Sequence, residues 1–93
     1  MIATSSIVRK AARQISCQLT GEAAILNLES GIYYGLDEVG ARVWALLNEP
    51  RRVAELRDAV VEEFDVEAER CERDLVALFT SLADAGLVEI ENA

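Results

Sequence analysis

The sequence predicts an α+β fold, a three-stranded antiparallel meander followed by three helices in the order βββααα. Two observations carry this expectation. Between residues 14 and 36, three short segments alternate apolar and polar residues and are separated by glycine-containing turns. From Asp37 onward, apolar residues recur instead at helical spacing, punctuated by a cap, a proline and a glycine. Strands first and helices second, with short connections throughout, place the helices together against one small sheet. With 93 residues, 52% of them apolar, the chain is expected to form a single domain over residues 14–91, preceded by a flexible basic N-terminus, residues 1–13.

The first strand is "QISCQL", where Ile15, Cys17 and Leu19 alternate with polar neighbours as in a half-buried strand. "TGE" is a turn, "AAILNLE" a second strand, "SG" a second turn and "IYYGL" the third strand. On that third strand Ile32, Tyr34 and Leu36 share a face and Tyr33 points the other way. Asp37 suits a helix N-cap, because its carboxylate can accept from the free amides of the next turn. Val39, Val43, Trp44 and Leu47 form the buried stripe of the first helix, which stops before Pro50. The second helix runs from about Val53 to Phe64, with Leu56, Val60, Val61 and Phe64 inward and Arg52 as a weak cap. The third covers about Glu67 to Ala85, with Cys71, Leu75, Leu78, Phe79 and Leu82 as its stripe and Gly86 as its C′ glycine. "LVEI" has the length and composition to add a short final strand.

Composition excludes several functions. The net charge is −8, and it is uneven: residues 1–21 carry Arg9, Lys10 and Arg13 with no acid, while the rest sets six arginines against all seventeen acids. A surface this acidic repels phosphates, so no nucleic-acid partner is expected. Cys17 and Cys71 have no CxxC spacing and there is no histidine, so no metal site is expected, and both read as free buried thiols. No signal-peptide core or membrane span is present, and a cytoplasmic location without membrane partners is expected. No phosphate-cradling glycine loop occurs, and the seven carboxylates between Glu62 and Asp74 lack calcium-loop spacing. Neither a cofactor nor catalysis is expected.

Binding remains. A three-stranded meander has two edges with unpaired amides and carbonyls, usually blunted by charge or proline. "GIYYGL" carries neither, so an extended peptide could add to it as another strand. The same residues also fit plain packing, with Ile32 and Tyr34 in the core and Tyr33 shielding a sheet face. Periodicity leaves both readings open.

The stretch "LNLESGIYYGLDEVGARVWALL", with the later "DLVALFTSLADAGLV", resembles the PqqD family. Its members are leader-peptide recognition elements (RiPP recognition elements) for ribosomally made, post-translationally modified peptides. The pattern has the flavour of the small stand-alone members of lasso peptide gene clusters. Gly31, Tyr33, Tyr34 and Leu36 match one motif, Gly40, Ala41, Trp44 and Leu47 a second, and Asp74, Leu75, Leu82, Gly86 and Leu87 a third. The resemblance spans about residues 14 to 90. Asp37 and Arg52 depart from it, standing near where asparagine and threonine are common.

The resemblance implies a winged-helix-like domain whose leader peptide lies between the third strand and the third helix, extending the sheet. The implied strand contacts are Ile32, Tyr33, Tyr34, Gly35 and Leu36. The implied helix contacts are Arg70, Arg73, Asp74, Ala77, Leu78 and Ser81; at ~100° per residue Asp74, Ala77 and Ser81 fall on one flank beside Leu78. The implied partners are the leader of a precursor peptide, a separate cysteine protease and, beyond it, an ATP-dependent cyclase, with the chain itself a monomer or weak dimer. Three rivals stay open: a PqqD-type chaperone of a radical enzyme in cofactor biosynthesis, a winged-helix DNA-binding regulator, and a dimerisation module using the same bare edge.

Overall fold

The computed structural model describes residues 2–92, in which two small sheets pack with three helices. Strands β2 (Gln14–Leu19), β3 (Glu22–Asn27) and β4 (Tyr33–Leu36) form the expected antiparallel meander in the order β2-β3-β4. Helices α1 (Glu38–Leu46), α2 (Val53–Phe64) and α3 (Ala68–Asp84) follow. The second sheet was not expected: β1 (Ile7–Lys10) lies between the two-residue β5 (Arg51–Arg52) and β6 (Val88–Glu91), in the order β5-β1-β6. The final strand anticipated at "LVEI" is β6.

Residues 7–10, expected to fray within a flexible N-terminus, are therefore a central strand. Val8 is fully buried, and Ile7 to Lys10 pair in register with Glu91 to Val88. The basic character of this segment is absorbed locally. Arg9 pairs with Glu91 at 2.6 Å, and the Lys10 ammonium lies 4.7 Å from the centre of the Trp44 ring. The segment leading into β1 also starts α2. Arg52 has no side chain able to cap that helix, but the amides of Val53 and Ala54 donate to the carbonyls of Ser6 and Thr4, both at 3.0 Å. The Glu55 carboxylate reaches back to accept from the Arg52 amide at 3.1 Å.

The core joins both sheets to the helices. Val8 and Val88 from one sheet, and Ala23, Ile25 and Leu36 from the other, meet Trp44, Leu56, Phe79 and Leu82. The register pairs Ile25 with Tyr34 and Ala23 with Leu36, so these four share the inner face of the meander. The outer face is uncovered. Ile15 and Leu19, read as half-buried, are 57% and 59% exposed, and Cys17 beside them is exposed rather than buried. Alternation along β2 separated two faces, but among the described residues no element lies over the apolar one. Cys71 is buried as expected.

Helix ends follow local chemistry. The Asp37 carboxylate accepts from the Gly40 amide at 2.8 Å and caps α1. At Gly40 a side chain would stand 3.2 Å from Leu36 Cδ2 and 3.3 Å from Asp37 Oδ1, so glycine lets α1 start tight against the end of β4. Gly86 takes φ of 74°, and the amides of Gly86 and Leu87 return to the carbonyls of Ala83 and Leu82, a Schellman end to α3. Arg57 pairs with Glu72 and bonds Asp58 at 2.9 Å, tying α2 to α3. None of the described helices is long and apolar enough to cross a membrane.

Candidate functional site

β4 is an edge strand: β3 pairs one side of it, and no described residue pairs the other. The direction of its free groups follows from the ladder. The Asn27 amide donates to the Ile32 carbonyl at 3.0 Å, which makes that pair a hydrogen-bonded one. In an antiparallel ladder such pairs alternate, so Tyr34 and Leu36 bond β3, while the amides and carbonyls of Tyr33 and Gly35 face the open edge.

Opposite that edge stands α3, and between them runs an open groove of about 790 Å³. Its β4 wall is Tyr34, Gly35 and Leu36, continued by Asp37 at the cap of α1. Its α3 wall is Arg70, Cys71, Asp74, Leu75 and Leu78. The remaining lining comes from Val39 and Gly40 of α1, Val60 of α2 and the α2–α3 corner, Asp65 to Glu67. The corner turns sharply because Asp65 takes a left-handed conformation, φ 52°, which aspartate tolerates better than most residues. The two long walls run antiparallel. Asn27, next to the hairpin that precedes β4, donates its Nδ2 to the Ala85 carbonyl at 2.8 Å, fixing the C-terminal end of α3 beside the start of β4.

Of the residues nominated from sequence, Tyr34, Gly35, Leu36, Arg70, Asp74 and Leu78 line this groove. Ile32 and Tyr33 do not: they are 65% and 71% exposed, with Tyr33 on the outer face of the sheet. The edge-facing backbone of Tyr33 still borders the groove. Arg73, Ala77 and Ser81 are exposed and contribute nothing to its lining. Leu78, half-buried, serves both the core margin and the groove. Sequence reasoning missed the contributions of α1, α2 and the corner. Asp37 reads as a cap and Val39 and Val60 as core, and each also faces the cavity, as do Asp65 to Glu67.

The chemistry of the groove is recognition by shape and backbone. Cys71 lies in its floor, and burial pushes its thiol above the ordinary range, with Asp74 adding to the effect, so a thiolate nucleophile is disfavoured. Arg70 sits 3.8 Å from Asp74, both side chains largely in solvent. Among the described residues no cluster of histidine, cysteine or carboxylate side chains could hold a metal ion.

Similarity to known proteins extends over most of the chain. The sequence profile of Coenzyme PQQ synthesis protein D (PqqD) matches residues 22–88. Among solved structures, TbiB1 in complex with the TbiA(beta) leader peptide is similar at 37% identity and a TM-score of 0.81, over 87% of this chain and 94% of that one. A lasso peptide synthetase B1 complexed with the leader peptide is similar at 27% identity and a TM-score of 0.77, over 88% and 96%. No curated protein matches significantly.

Proposed function

The chain belongs to the PqqD family, and from that premise we propose that it is a non-catalytic adaptor for the leader segment of a ribosomally synthesised precursor peptide. The single observation that carries this is the groove between the unpaired edge of β4 and α3. An extended leader laid along it bonds the edge-facing groups of Tyr33 and Gly35 and becomes a fourth strand of the meander. Every second side chain of the leader then turns toward Tyr34, Leu75 and Leu78, which give the added strand an apolar seat. Both similar solved structures contain a leader peptide, which supports the same ligand class here.

The adaptor's task is to raise the local concentration of leader at an enzyme that cannot hold it alone. We assign that enzyme to a separate cysteine protease, with an ATP-dependent cyclase acting after it. The similarity to a lasso peptide synthetase B1 over nearly the whole chain favours this assignment over service to a radical enzyme of cofactor synthesis. A DNA-binding role finds no support in α3, whose first turns present Glu67, Glu69 and Glu72.

The test is titration of a labelled leader peptide of the lasso class into the wild-type protein and into folded Tyr34→Ala and Leu78→Ala variants. Saturable binding weakened by both changes is expected. Binding left intact by both would move the site elsewhere on the surface, and absence of binding at high micromolar concentration would overturn the adaptor reading.

A further inference from the structure

The groove is polar in one direction only. β4 starts beside the C-terminal end of α3, so Tyr34, Leu75 and Leu78 lie toward one end of the groove, and Asp37 and the α2–α3 corner toward the other. The first end is apolar. The second is walled by Asp37, Asp65 and Glu67, and Asp74 lies between the two ends, next to Leu75 on α3. Asp37 already accepts from the Gly40 amide, and Asp74 has Arg70 at 3.8 Å. Asp65 and Glu67 have neither a salt bridge nor a side-chain hydrogen bond among the described residues, although both line the cavity. Arg70 is the one cation among the lining residues, set against four carboxylates.

A peptide with no cation, seated at the Tyr34 end, would leave Asp65 and Glu67, both exposed, without a charge partner. We infer that the groove selects peptides bearing a lysine or arginine that reaches the Asp65–Glu67 corner from an apolar residue seated beside Leu78. This rests on the leader-binding reading and narrows its substrate class by charge. Strand alternation sets the spacing: the two residues must be an even number of positions apart to point into the groove together. Along α3, Leu78 and Glu67 are eleven residues apart, about 16 Å, a gap that a long basic side chain closes from about four residues along the added strand. The expected gain is modest, because the carboxylates are solvent-exposed: roughly 2- to 5-fold in Kd at low ionic strength, shrinking as salt is added.

The experiment is selection of short random displayed peptides on the intact wild-type protein and on the Asp65→Asn/Glu67→Gln double variant. Asparagine tolerates the left-handed backbone at position 65, and thermal unfolding of both proteins verifies the fold. Selected binders are then re-measured with each basic residue changed to glutamine, at low and high salt. Wild-type binders enriched in lysine or arginine at even spacing from an apolar residue, with the enrichment lost on the double variant, are the expected result. Apolar-anchored binders with no basic preference, alike on both proteins, would overturn this inference and leave the peptide groove standing. No selected binders at all would remove the leader-binding reading and this inference with it.

Discussion

Replacing Gly35 by proline separates recognition from folding at a single backbone atom. Gly35 faces Ala24 as a non-hydrogen-bonded pair, so its amide points to the open edge and no bond to β3 is lost when proline removes it. A side chain at Gly35 meets nothing within 4 Å, and Tyr34 before it is already extended, as a residue preceding proline must be. Restricting the unfolded chain should raise stability by about 0.4–1 kcal/mol, or leave it unchanged if the strand φ must adjust. Binding should respond in the opposite sense. The incoming strand loses one backbone bond and keeps a carbonyl facing the proline ring, a loss of about 2 kcal/mol or roughly 30-fold in Kd. Gly35→Ala retains the amide and should bind within about 2-fold of wild type on the same argument. Fluorescence anisotropy with the labelled leader, paired with thermal unfolding of each variant, reads both quantities. A folded Gly35→Pro protein that binds as tightly as wild type would refute strand addition at β4.

Other expectations test the surrounding structure. Val8→Ala should cost about 1.5–3 kcal/mol in urea unfolding, because Val8 is fully buried in the central strand of the second sheet; a frayed N-terminus would show no change. Asp37→Ala should cost about 1 kcal/mol through loss of the cap on Gly40, read in the same assay. Iodoacetamide followed by mass spectrometry should label exposed Cys17 in the native protein and reach Cys71 only on unfolding. The raised Cys71 value also fixes a sign: its contribution to stability is present below the ordinary thiol range and lost as pH rises through the folded value, so Cys71→Ala should flatten the alkaline fall in unfolding midpoint.

The meander, the three helices and their inward stripes were legible because each is a local pattern: alternation, helical spacing, a cap at Asp37, a stop at Gly86. The second sheet was not, because β1 draws its partners from Arg51–Arg52 and Val88–Glu91, far along the chain, and four residues of "IVRK" carry no signal of that pairing. The same limit acted on the site. Periodicity placed Asp74, Ala77, Leu78 and Ser81 on one flank of α3 but could not say how far along the helix the opposite wall extends. β4 has four residues, about 13 Å of strand, whereas α3 has 17, about 25 Å of helix. The lining on α3 accordingly runs from Arg70 to Leu78 and stops short of Ser81.

An uncovered edge strand invites pairing with a second copy, and β4 lacks the proline or lysine that usually discourages it. The acids around the groove oppose it. Pairing β4 with another β4 would join two chains that each carry a net charge of −8, with acids at the rim of both grooves. A peptide without that acidic surround meets no such opposition, and one bearing a cation is drawn in. Keeping the edge bare also requires that stability come from elsewhere. The β1–β6 clasp, the N-terminal carbonyls that start α2 and the Arg57–Glu72 tie all lie away from β4, so the fold holds without closing the surface that the ligand needs.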